Sequence, residues 1–129
     1  MFVIRDAVWD QLAAAAHADF VKRMRVHLGQ FFPEQCRALG DQRTSQLIEA
    51  GIIRAREYGF DSEREACKYI DLMCVFGHRF DRDERLPWAR EILDGRSPPE
   101  PEQRMQRLHE AAVSMANRLG GVQDFSVKA

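Results

Sequence analysis

Apolar residues in this chain recur at spacings of three and four, and almost nowhere in strict alternation. That is the period of a helix face, so the pattern predicts an all-α protein. Val8, Leu12, Ala15, Ala16, Phe20, Met24, Leu28 and Phe31 form the stripe of a long first helix. Asp6 is a plausible N-cap for it, since a short carboxylate can accept from the orphan amides of a first turn. The helix is expected to end at Phe32, because Pro33 disfavours α geometry in the residue before it. Phe2-Val3-Ile4 is the sole weak strand candidate.

Pro33 then opens a short helix to Leu39, closed by Gly40, with Asp41 restarting the chain. Leu47, Ile48, Gly51, Ile52, Ala55 and Tyr58 form the cleanest stripe, ended by Gly59. Gly51 lies inside that stripe, where glycine costs about 1 kcal/mol relative to alanine, and a close helix crossing would explain it. Ser62-Glu63-Arg64-Glu65 has the form of a capping box. The segment that follows is apolar around most of its circumference, so residues 62–78 are predicted to be the central, most buried helix. Asp71 is the anomaly within it: either an arginine pairs with it, or it lies on a solvent-facing sliver.

Residues 80–85 look like a charged connection, with Asp81-Arg82-Asp83-Glu84 as a solvated turn. Pro87 begins a short helix ended by Asp94-Gly95. Pro98, Pro99 and Pro101 mark a stiff linker over 98–101. Met105, Leu108, Ala112, Met115 and Leu119 give the face of a last helix before Gly120-Gly121, and 122–129 form a tail. The prediction is a compact bundle of five to six helices around the 62–78 helix, in one domain over 1–121.

Composition changes this picture little. Hydrophobic residues at 45% and charged residues at 30% are ordinary globular values, and 129 residues suit one core. The net charge is −1, so no electrostatic capture of nucleic acid is expected. Sixteen of the nineteen basic residues are arginine, which suits protein interfaces or reflects base composition. Residues 1–10 contain Arg5, Asp6 and Asp10 and make no signal-peptide core, and no apolar run approaches a membrane span. A cytoplasmic protein without membrane contact is expected.

Candidate chemistry is sparse. Cys67 and Cys74, seven apart on one helix, are about 10 Å apart by the helical rise, too far for a disulfide. Cys74 and His78 share a helix face, but two ligands make poor evidence for a zinc site that wants four. Cys36 lacks a base that the sequence can place beside it. The glycines form no phosphate loop. No catalytic residue, cofactor or metal is predicted. The best interaction candidate is the segment 80–90, where Phe80, Leu86 and Trp88 stand among Arg82, Arg85 and Arg90, a composition enriched at binding hot spots. The alternative is that Leu86-Pro87-Trp88 anchors a connection onto the core. Trp9 and the Phe31-Phe32 pair read as core.

The order of several short motifs is informative together. Phe31-Phe32-Pro33, Gly51-Ile52-Ile53-Arg54-Ala55-Arg56-Glu57-Tyr58-Gly59, Tyr69-Ile70-Asp71-Leu72-Met73, Phe80-Asp81 and Leu86-Pro87-Trp88-Ala89 occur in sequence. The chain thereby resembles small helical proteins encoded beside the spike (VgrG), PAAR and effector genes of bacterial type VI secretion systems, over roughly residues 3–95. The resemblance implies a non-enzymatic accessory role, as adaptor or chaperone-like partner of a secreted effector or spike component. The alternative is an immunity protein that neutralises a cognate toxin; net charge −1 is mildly against the version directed at a nuclease.

Overall fold

A computed structural model describes residues 2–95 and 98–118, with the side chains of residues 2–7 and 9 left aside. Its elements are α1 (Phe2–Phe31), α2 (Pro33–Glu57), α3 (Glu63–Phe76), a 3-10 turn (Phe80–Arg82), α4 (Pro87–Gly95) and α5 (Pro101–Arg118). No strand occurs among the described residues, as the period of the sequence predicts. Leu119, Gly120-Gly121, the tail 122–129 and Ser97 lie outside the described residues, as does the side chain of Trp9. By its contacts the chain groups into two compact units, Met1–Ile48 and Glu49–Ala129.

The first unit holds α1 and the start of α2. α1 begins at Phe2, so Phe2-Val3-Ile4 is helical rather than a strand, and Asp6 lies inside the helix rather than capping it. It ends where Pro33 requires, and Phe32 N–H still donates to Leu28 O at 2.7 Å. The apolar stripe of α1 does not lie on one face. Phe20, Met24 and Leu28 are buried, whereas Val8 and Leu12 are about half exposed and Ala15 and Ala16 are open to solvent. The cause is geometric: each step of four residues advances about 40° around a helix of 3.6 residues per turn, so a run of fours spirals. From Val8 to Phe20 it has moved about 120°, and to Leu28 about 200°. Phe31, expected in the core, is 40% exposed and its ring packs 4.9 Å from that of His27.

α2 is broken at Gly40, which adopts φ 79° and ψ 169°, a conformation that favours glycine. The two helical stretches of the prediction, to Leu39 and from Asp41, are thus recovered. Beyond the break Ile48, Gly51, Ile52, Ala55 and Tyr58 are buried on one face.

In the second unit α3 is the most buried helix. Ser62 caps it, its hydroxyl accepting from Glu65 N–H at 3.1 Å. Asp71 is 6% exposed, which removes the solvent-facing reading. Tyr69 sits at the aromatic centre, its ring 5.1 Å from Phe80, 6.1 Å from Tyr58 and 6.4 Å from Phe60. The predicted close crossing occurs at Gly51, where a Cβ would fall 2.5 Å from Ile70 Cγ1 and 3.0 Å from Met73 Sδ. α4 packs on α5 and on the 3-10 turn, and α3 touches both α5 and that turn. Pro101, expected in the linker, is instead the first residue of α5, and Arg104 N–H donates to Glu100 O at 3.0 Å.

Candidate functional site: the arginine-bordered groove and its buried support

The 3-10 turn and α4 define the site. Asp81, read from sequence as part of a solvated turn, is fully buried. Its Oδ2 accepts from Arg54 Nη1 and from the Tyr58 hydroxyl, both at 2.7 Å. One charge of the run 81–84 is therefore turned inward while Arg82 and Glu84 stay exposed. Such a carboxylate is tolerable because two donors, one of them cationic, compensate its desolvation. Arg54 retains 38% exposure of its side chain, and the bond to Asp81 raises its pKa. Tyr58 is raised to about 12, first by burial and then by its bond to Asp81, so it stays a donor at neutral pH. Burial pushes the Tyr69 hydroxyl up as well.

This arrangement positions; it has no surface at which a substrate could meet Asp81. It ties α2 to the 3-10 turn and so fixes how the chain enters α4. A second buried cation supports the same corner. Arg104 is 3% exposed, donates to the carbonyls of Tyr58 and, at 3.3 Å, of Pro99, and its guanidinium lies 4.9 Å from the Phe60 ring centre. It thereby caps the end of α2, where Gly59 turns with φ 92°.

Above this support runs an open groove of 620 Å³, lined by Arg82, Asp83, Glu84, Pro87, Arg90, Glu91, Asp94 and Gly95. A smaller depression of 340 Å³ adjoins it through Arg82 and Asp94, and reaches Arg54, Glu57, Tyr58 and Leu93. Asp94 joins the two arginines, accepting from Arg82 Nη1 at 3.0 Å and lying 3.5 Å from Arg90 Nε. Arg85 folds back on Asp83 in a two-pronged contact, Nε–Oδ1 3.1 Å and Nη2–Oδ2 2.9 Å. These bonds hold the Asp83 carboxyl below the usual carboxylate range.

The structure divides the six residues singled out in 80–90. Arg82 and Arg90 line the groove and Arg85 is exposed beside it. Phe80 and Leu86 are buried, which corrects their place among the contact candidates; they anchor the segment to the core. Trp88 is half-buried, edge-on to Phe76 with ring centres 5.5 Å apart. Sequence reasoning missed Asp81 and Arg104. Asp81 sits in a charge run, and Arg104 is one arginine among sixteen, so neither carries a local signal. The cysteines remain thiols, and Cys74 is buried whereas His78 is exposed.

No protein-family model, curated protein or solved structure matches the chain. No helix among the described residues is long and apolar enough to cross a membrane.

Proposed function

We propose that this protein is a non-enzymatic accessory factor that holds a protein partner, an effector or spike component of a type VI secretion system, in the groove between the 3-10 turn and α4. The observation that carries the reading is the groove itself. Arg82 and Arg90 line an open channel together with Pro87 and the carboxylates of Asp83, Glu84, Glu91 and Asp94, and the same segment is anchored by buried Phe80, Leu86 and Asp81. A rigid support under an exposed, mixed-charge rim suits recognition of a peptide segment, with little ordering needed on binding. The resemblance set out above supplies the partner class.

The test is co-purification of the tagged protein with the spike and effector proteins encoded beside it, at micromolar concentration. The reading expects one of them to be retained, and retention to drop when Arg82, Arg85 and Arg90 are all changed to Glu. Retention of neither protein contradicts it. So does rescue of cells from the effector's toxicity without any effect on secretion, which is the behaviour of an immunity protein.

A further inference from the structure

Five large hydrophobic residues are exposed among the described residues and four of them lie on α1; three of these, Val8, Leu12 and Val26, share one line, while Phe31 lies about 140° round the helix from it. The placement of these three is not scattered. Val8 and Val26 are five full turns apart and point the same way, and Leu12 and Ala15 lie within about 40° of that line. Phe20, Met24 and Leu28, the buried residues, centre about 160° from it. α1 is thus an amphipathic helix twice over, with one apolar line covered and a second, about 27 Å long, facing solvent.

The second line is interrupted by Asp19 and Lys22, both exposed and both on the same face. The Asp19 carboxylate is steadied by Arg23 Nε at 2.7 Å and can accept further bonds. We infer that a second copy of this chain covers the face, with the two α1 helices antiparallel about a two-fold axis between Asp19 and Lys22. In that register Asp19 of each copy meets Lys22 of the other. Ala15 then faces Val26, and Leu12 faces Gly29, whose Cα has open space where a side chain would be. Each layer is complementary, acid to base and large to small, which is how facing helix positions interdigitate. A parallel pair would instead set Asp19 against Asp19 and Lys22 against Lys22, a like-charge arrangement that costs stability. The antiparallel pair is also isologous, the commonest form of homodimer.

This pairing is independent of the groove on α4 and would present two grooves per particle, which gives avidity for a multimeric partner that can engage both at once. A single helix pair is a small interface, so the dimer is expected to be reversible with dissociation in the micromolar range.

Sedimentation equilibrium of the full chain from about 1 µM to about 1 mM tests it, since that range spans the expected dissociation constant. The wild type should shift from monomer to dimer across the series. Leu12→Glu should stay monomeric at every concentration while keeping its helical circular dichroism. Asp19→Lys and Lys22→Asp should each weaken association at least tenfold, and the double variant D19K/K22D should restore it. A wild type that is monomeric throughout overturns the inference. So does a dimer indifferent to Leu12→Glu, or one that the double charge exchange fails to restore.

Discussion

Replacing Asp81 by alanine removes the acceptor of two charge-assisted or buried hydrogen bonds at once. Tyr58, 8% exposed, is left with a hydroxyl that has lost its partner, and Arg54 loses its contact at 2.7 Å. Breaking a buried charge pair from one side costs about 3–5 kcal/mol, and an orphaned buried hydroxyl about 1–3 kcal/mol. Two effects pull the total down. Arg54 is 38% exposed and can rehydrate, and the variant no longer has to desolvate a carboxylate. The expected loss is therefore about 3 kcal/mol, the low end of the buried-pair range. Urea unfolding measures it as a shift in midpoint at unchanged slope, and the melting temperature should fall by roughly 10 °C for a chain of this size. Asp81→Asn keeps an acceptor oxygen and should cost less, about 1–2 kcal/mol. A D81A variant within about 1 kcal/mol of wild type, the worth of a single ordinary hydrogen bond, would refute the view that this buried carboxylate organises the corner.

Other predictions concern neighbouring features. Gly51→Ala should destabilise by about 1–2 kcal/mol, the overpacking at Ile70 Cγ1 and Met73 Sδ outweighing the helix-propensity gain. Gly29→Ala, with open space at its Cβ, should instead stabilise by about 0.5–1 kcal/mol in the same urea assay. The chain has two tyrosines, and both have raised pKa values, Tyr58 to about 12. The stability they contribute is fully present below the unfolded-chain value near 10 and is lost as pH rises towards 12. Absorbance at 295 nm should accordingly show little tyrosinate at pH 10 in the native protein and about half ionisation in urea; equal ionisation in both would contradict the burial. Cys67 has its thiol raised to about 11, by burial first and Asp71 second. In a C36A/C74A background its reaction with a disulfide reagent at pH 8 should be at least about tenfold slower folded than unfolded, since only the thiolate reacts.

The helices were legible because their signals are local. Ser62 and Glu65 are three residues apart, Gly40 and Pro33 act on their own backbone, and Gly51 interrupts an otherwise apolar stripe. What escaped detection depends on where separate segments meet. Nothing in 81–84 says which of its charges turns inward, because Arg54 and Tyr58, its partners, lie more than twenty residues away. Arg104 reaches Tyr58 across 46 residues. The two faces of α1 merged into one stripe because spacings of four alone do not reveal the slow rotation around the helix. Of the six residues proposed for contact, the arginines reached the surface and Phe80 and Leu86 did not. Arginine–aromatic composition alone cannot separate an anchor from a hot spot.

The account's central claim is recognition through the α4 groove, and titration calorimetry tests it most directly. The partner is the spike or effector protein retained in co-purification, titrated against wild type and against R82E/R90E. Both side chains are exposed and line the groove; their pairs with Asp94 are solvent-screened, so the variant should stay folded with its urea midpoint lowered only slightly. The account predicts binding at least tenfold weaker, a loss of about 1.4 kcal/mol or more. Unchanged affinity in the folded variant would contradict it.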